Sequence, residues 1–232
     1  MPRKLLSKIP YCILALFLVP LTGNAKNQVI GNAYDGESGQ YLYSEYHSCT
    51  SSKLECLVDY RDPSGQLIVS KKLNYTAGLT QPTLIMKDYR TGKDTIINSE
   101  YREGLVVDAG FDNFVRSQWD TLTTGDTVKF LFLVAGFDEP LKMRASLDRS
   151  RSCNAEQLCL EIVLDSWLLR FLADPIALAY SLDSKRLLRY QGLSNIRDEN
   201  NKSMIVDIHY DYERLFPMAE NVSQQESPRY SF

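Results

Sequence analysis

The most constraining feature of the sequence is a long succession of short segments with strand character, separated by turn sequences such as Asp62-Pro63-Ser64-Gly65. The chain contains 14 tyrosines, and Val, Ile and Thr are frequent, which favours strands over helices. We therefore predict a mainly β protein in which Val106 ends a first, antiparallel-looking series of strands. The predicted strands span residues 40–48, 55–61, 67–75, 83–89, 95–101, 127–134, 141–147, 158–164, 175–180, 186–192 and 203–212.

Residues 109–123 interrupt this pattern and predict the strongest helix in the chain. Phe114 and Trp119 lie on its apolar face, and Arg116 lies on the opposite, polar face. Asp108 precedes the segment and is of a residue type that caps helix N-termini. We therefore predict an amphipathic helix that packs on the concave side of a sheet.

Two further segments complete the predicted fold. The strand at 127–134 carries apolar residues on both faces, including Phe130 and Phe132 on one of them, which predicts a central strand covered on both sides. Residues 166–173 predict a second, short helix. The fold class that satisfies these observations is mainly β: a single curved antiparallel sheet, forming a half-barrel or open barrel, wrapped around the 109–123 helix.

Two close pairs of cysteines lie in the predicted β region. Cys49 and Cys56 are separated by six residues, and Cys153 and Cys159 by five. In an oxidising compartment this spacing predicts two disulfides, each closing a hairpin tip across neighbouring strands. The alternative, a zinc site with four thiolates, usually requires spacers of two to four residues, so no metal site is expected here.

The N-terminal segment resembles a bacterial secretory signal peptide. Basic residues at the start are followed by an apolar stretch and by Gly23-Asn24-Ala25, a small-x-small cleavage site. The apolar stretch is too short to span a bilayer, so we expect it to be a targeting segment that is cleaved after Ala25. The mature protein is then expected to lie in the periplasm and not to be an integral membrane protein. The predicted domains are the signal peptide at 1–25, a single β-rich domain at 26–216 and a flexible C-terminal tail at 217–232.

Charge and motifs exclude several classes of function. The full chain has a formal net charge of −3, and removal of the three basic residues of the predicted signal peptide leaves the mature chain at about −6. This negative charge argues against binding to nucleic acid. Asp207, His209 and Asp211 share a strand face, but residues at this spacing converge poorly on one ion. Glu45 and His47 also share a face, without a nucleophile placed by any motif. We therefore predict a non-enzymatic protein without a cofactor.

Three blocks of the sequence resemble an uncharacterised family of exported bacterial proteins. They are residues 58–65 (VDYRDPSG), 108–122 (DAGFDNFVRSQWDTL) and 187–198 (LLRYQGLSNIRD). This resemblance implies export and assigns no activity. The order of curved strands, internal helix and returning strands is also similar to the lipoprotein-carrier fold of LolA and LolB, in which a half-barrel holds acyl chains beneath a helical lid. That likeness implies a fold able to bind lipid and assigns no functional residue.

Three functional hypotheses follow. The first is a soluble periplasmic binding or chaperone-like module for a lipid or another apolar ligand. The second is an envelope structural or interaction protein with a filled core, and the third is a hydrolase whose site no motif marks. The first hypothesis predicts a cavity of roughly 300 Å³ or more. Its predicted lining is aromatic and consists of Phe114, Trp119, Phe130, Phe132, Trp167 and Phe171.

Overall fold

The computed structural model describes residues 28–98, 100–150, 153–166, 174–198 and 200–212. The predicted signal peptide, the predicted C-terminal tail and, except for Ser166, the predicted second helix lie outside the described residues.

The described residues form thirteen strands and one interrupted helical segment. The strands are β1 (Gln28–Asp35), β2 (Tyr41–Cys49), β3 (Glu55–Arg61), β4 (Leu67–Asn74), β5 (Thr83–Asp88), β6 (Lys93–Ile97), β7 (Leu105–Val107), β8 (Val128–Leu133), β9 (Leu141–Leu147), β10 (Gln157–Leu164), β11 (Ile176–Ser181), β12 (Leu187–Arg197) and β13 (Ser203–Asp211). The helical segment consists of a 3₁₀ turn (Asp108–Gly110), α1 (Phe111–Ser117) and α2 (Trp119–Thr123).

All thirteen strands belong to one open sheet, which confirms the predicted fold class. Their order is β6-β5-β4-β3-β2-β1-β13-β12-β11-β10-β9-β8-β7, so the first strand lies in the middle of the sheet and β2 to β6 follow one by one to the β6 edge. The connection from β6 to β7 leads to the opposite edge, from which the strands return one by one until β13 pairs with β1. Neighbouring strands are antiparallel except for β7, which runs parallel to β8. The predicted placement of Val106 at the end of the first antiparallel series is therefore wrong.

One face of the sheet, which we call the inner face, carries the core. Cross-strand register places Leu178, Tyr190, Ile208, Ala33 and Tyr43 side by side on this face from β11 to β2. Helices α1 and α2 cover the β8–β11 half of it. Their buried side chains pack with inner-face residues of the sheet: Phe114, Val115, Trp119 and Leu122 against Phe130, Met143, Ala145, Leu160, Ile162 and Leu178. This confirms a helix packed against the sheet.

Strand β8 is covered on both faces, as predicted, but it is not central. It lies one strand from the β7 edge. Phe130 packs with the helices, whereas Leu131 and Leu133 pack against a second core cluster that contains Leu84 and Ile97 from the opposite half of the sheet. The sheet therefore curls far enough for its two halves to share a core, although β6 and β7 do not pair.

The helical segment spans the predicted residues but is less regular than predicted. Gln118, with φ −102° and ψ 15°, interrupts it between α1 and α2. Asp108 makes no capping hydrogen bond, because its carboxylate is bound instead to Lys71 and to the backbone N–H of Ala135. Gly125 follows α2 with a left-handed φ of 93°, a conformation that glycine adopts without strain.

Candidate functional site

The predicted aromatic residues of the described chain meet on the inner face beside α1. Phe114 and Phe130 are buried, with ring centroids 4.7 Å apart, and Phe132 lies 5.9 Å from Phe130. Phe111, which was not among the predicted site residues, lies 5.5 Å from Phe132 and 5.6 Å from Phe130. These four rings form a mutually packed group, which we call the aromatic cluster.

The remaining predicted site residues are not part of this group of rings. Trp119 is buried one helix further on, where its ring faces Tyr180 at 6.0 Å and lies 5.2 Å from the Lys185 ammonium nitrogen. Trp167 and Phe171 lie outside the described residues.

Partly buried apolar side chains continue the aromatic cluster along one end of the sheet. Phe132 is directly opposite Leu141, and Leu164 and Ile176 occupy the next inner-face positions on β10 and β11. Successive members are direct or diagonal neighbours, which places them within side-chain reach of one another. We call this strip, consisting of Phe111, Phe132, Leu141, Leu164 and Ile176, the apolar rim.

A buried ion pair lies on the inner face of the other half of the sheet. Lys71 Nζ donates to Asp108 Oδ1 at 2.7 Å, and the two side chains are only 2% and 4% exposed. The Lys71 ammonium nitrogen also lies 5.8 Å from the centre of the Tyr60 ring. Asp108 has a left-handed φ of 39°, which few residues other than glycine, asparagine and aspartate adopt. Lys71 alternates with Val69 and Leu73 on β4, and that position among apolar residues is the sequence signal for its burial.

A second polar group surrounds Glu45 on β2. The buried Glu45 carboxylate contacts His47 Nε2 at 2.9 Å and accepts a hydrogen bond from the Tyr210 hydroxyl at 3.3 Å. Burial, and then the Glu45 charge, raise the pKa of Tyr43 and of Tyr60 well above the ordinary value for tyrosine. These phenols therefore stay protonated at neutral pH.

An irregular stretch of β12 provides hydrogen-bond partners for the hydroxyl groups of Tyr43 and Tyr60. The register between β12 and β13 shifts between Leu193 and Arg197. Within this stretch, Ser194 Oγ lies 2.9 Å from the Tyr43 hydroxyl, and the Asn195 side chain accepts from the Tyr60 hydroxyl at 3.4 Å. Within the described chain, Glu45 is the only hydrogen-bond partner found for the His47 side chain.

The opposite face of the sheet, which we call the outer face, holds the Asp207 and His209 side chains. Asp207 accepts two hydrogen bonds from Arg189, at 2.7 and 2.5 Å, and lies 3.3 Å from His209. Burial alone would raise the pKa of Asp207, but the Arg189 guanidinium outweighs it and holds that pKa below its usual value. The Asp207 carboxylate is thus paired with Arg189. Among the described residues there is no group of three or more His, Cys, Asp or Glu side chains that could hold a metal ion.

The cysteines pair as predicted, but the two pairs differ in their placement. Cys49 and Cys56 are directly opposite on β2 and β3, with Cα atoms 4.1 Å apart. Cys153 precedes β10 and pairs with Cys159 within β10, with Cα atoms 6.2 Å apart. The second disulfide therefore links the connection before β10 to β10 itself. The prediction that it bridges neighbouring strands is wrong. Both pairs are compatible with an oxidising compartment.

The surface of the described chain includes two depressions away from the aromatic cluster. One, of about 330 Å³, is bordered by Asp148, Glu161 and Asp174, and the other, of about 520 Å³, is bordered by Arg186 and Tyr212 among others. Neither is lined by a residue of the aromatic cluster.

Comparison with known proteins gives no assignment: no protein-family model matches the chain, and no curated protein matches it significantly in sequence. In the part of the chain that the structure describes, none of the helices has the length and apolar character needed to cross a membrane.

Proposed function

We propose that the protein is a periplasmic binding or chaperone-like module that holds an apolar, acyl-like ligand against the apolar rim. The observation that carries this proposal is the rim itself: five partly exposed apolar side chains from α1 and from four strands, joined to the aromatic cluster at one end of an open sheet. The disulfides and the signal-peptide-like N-terminus support the location.

The arrangement of the rings indicates where such a ligand would lie. Phe114 and Phe130 already contact each other, so a chain inserted between them would have to displace a packed ring. Phe132 and Leu141 at the rim remain partly exposed and need no displacement. Each methylene transferred from water onto such a surface contributes up to about 0.8 kcal/mol, so a contact of about five methylenes corresponds to millimolar affinity and one of about ten methylenes to micromolar affinity.

The test is calorimetric titration with a long-chain fatty acid and, separately, with a lysophospholipid. The wild-type protein should show saturable binding, and Phe132→Asp should weaken it at least about tenfold, because the charge would lie in the contact. Leu193→Asp is the matched control, since Leu193 is 43% exposed on the outer face. Melting curves of both variants report folding. Equal binding by the wild type and Phe132→Asp, or no saturable binding at all, would refute the proposal.

The close contacts within the aromatic cluster favour a second candidate, an envelope interaction protein with a filled core. The 4.7 Å separation of Phe114 and Phe130 is that of a packed ring pair. In this case no lipid should bind, and hydrogen exchange of the amides of α1 should be unchanged by any acyl ligand. Slowed exchange at α1 on addition of fatty acid would instead favour the binding module.

A further inference from the structure

Strand β6 forms one edge of the sheet. The backbone groups on the side of β6 that points away from β5 have no backbone partner among the described residues. Edge strands expose N–H and C=O groups that can pair with another strand, and proteins usually protect them with charged side chains, bulges or covering segments. In β6 the charged residues Lys93 and Asp94 lie at one end only. The other end is apolar.

An exposed pair of isoleucines marks this apolar end. Ile96 is 67% exposed and is directly opposite Ile85 on β5, which is 42% exposed. Both lie on the outer face, and the same cross-strand row continues through Lys72 on β4 to Leu57 on β3. Two large apolar side chains are thus exposed beside backbone groups that have no partner in the part of the chain that the structure describes.

The sequence of β6 selects one register for pairing with a second copy of itself. A two-fold axis at Ile96 places Ile96 opposite Ile96 of the copy, and Asp94 opposite Asn98. An axis at Asp94 would place two carboxylates directly opposite, which is unfavourable. An axis at Thr95 would place Asp94 opposite Ile96 and would bury a carboxylate beside an apolar side chain.

We propose that the protein forms a two-fold symmetric dimer by antiparallel pairing of β6 with β6 of a second copy, centred on Ile96. The occupant of this edge is a second copy because the register opposes no like charges and creates an uninterrupted row of four isoleucines, two from each copy, across the interface. Identical surface patches on both partners are what a two-fold interface requires. The interface joins two sheets into one continuous sheet.

Cysteine cross-linking tests both the dimer and its register. Directly opposite residues of an antiparallel pair have Cα atoms about 4.5–5.5 Å apart, a distance that a disulfide spans. Ile96→Cys should therefore form a covalent dimer on mild oxidation. Asp94→Cys should not, because Asp94 and its copy would be offset by four residues, about 13 Å along the strands. Dimers from Asp94→Cys and none from Ile96→Cys would overturn the proposed register.

Sedimentation of the uncross-linked protein supplies the second measurement. The wild type should associate reversibly, and Ile96→Lys, which opposes two ammonium groups, should raise the dimer dissociation constant at least about 100-fold. Leu193→Lys is the control: Leu193 is 43% exposed and directly opposite the 37% exposed Ile205, but on strands that are paired on both sides. A wild type that stays monomeric to about 100 µM, or equal effects of the two lysines, would refute the dimer.

Discussion

The variant Lys71→Met tests how much the buried Lys71–Asp108 ion pair contributes to the free energy of unfolding. Methionine has a similar volume to lysine and removes only the charge and the hydrogen-bond donor. The variant would leave the Asp108 carboxylate, 4% exposed, with the Ala135 N–H at 3.4 Å as its remaining hydrogen bond among the described residues. A buried charge that loses its partner in this way costs about 3–5 kcal/mol of the free energy of unfolding.

The double variant Lys71→Met/Asp108→Asn separates the pair from its surroundings. Asparagine retains the tolerance for the left-handed backbone at position 108 and carries no charge. Because neither partner then leaves a buried charge behind, we expect the double variant to be at least about 2 kcal/mol more stable than the sum of the two single losses predicts. Asp108→Asn alone should be strongly destabilising, since it leaves the Lys71 ammonium buried.

Urea unfolding monitored by circular dichroism gives these free energies, with Lys129→Met as the control for the same substitution. Lys129 pairs with Asp165 at 3.0 Å, but its side chain is 69% exposed, so that change should cost less than about 1 kcal/mol. Equal losses for Lys71→Met and Lys129→Met, or additive losses in the double variant, would refute the reasoning.

Three further predictions concern the same interior. Trp119→Ala should cost about 3–5 kcal/mol and Arg116→Ala less than about 1 kcal/mol in urea unfolding, because only Trp119 is buried; similar small losses would place the helix on the surface. Gly110→Ala should cost at least about 1–3 kcal/mol, since its Cβ would lie 2.2 Å from the Thr80 carbonyl oxygen, whereas Gly78→Ala, with its nearest neighbour at 4.0 Å, should change stability by less than about 1 kcal/mol. Buried tyrosines with a raised pKa add stability below pH 10 that is lost as the pH rises toward that pKa. Unfolding free energies measured from pH 9 to 11 should therefore fall above about pH 10 by about 1.4 kcal/mol per pH unit for each such residue, and a flat profile would contradict their burial. These residues are Tyr43, Tyr60, Tyr75 and Tyr180.

Most strands could be predicted because alternation of side chains is a local property. The predicted strands at 55–61 and 141–147 match β3 and β9 at both ends. Strand β1 was missed, since Gly31 and Asn32 weaken its local strand signal. The structure explains Gly31: a Cβ there would lie 2.8 Å from the Tyr210 ring on the neighbouring strand. That requirement comes from a residue far along the chain and is invisible in the segment itself.

The candidate site was predicted only in part, for a similar reason. Helical spacing identified Phe114 and Trp119 as core residues, and strand alternation did the same for Phe130 and Phe132. The convergence of Phe111 with Phe130 and Phe132 depends on where α1 crosses the sheet, which spacing within α1 does not determine. The Lys71–Asp108 pair joins residues 37 positions apart and gave no motif.

The local elements and the pairing of nearby cysteines follow from the amino-acid sequence, because side-chain periodicity and short loops act over a few residues. Which strands form the edges of the sheet, and what covers each face, depends on long-range packing. The connection between β6 and β7 joins the two edges of the sheet, and β7 then runs parallel to β8. The same connection leaves β6 paired only with β5 among the described residues. Partner choice depends on the path of the whole chain, and no single segment encodes it.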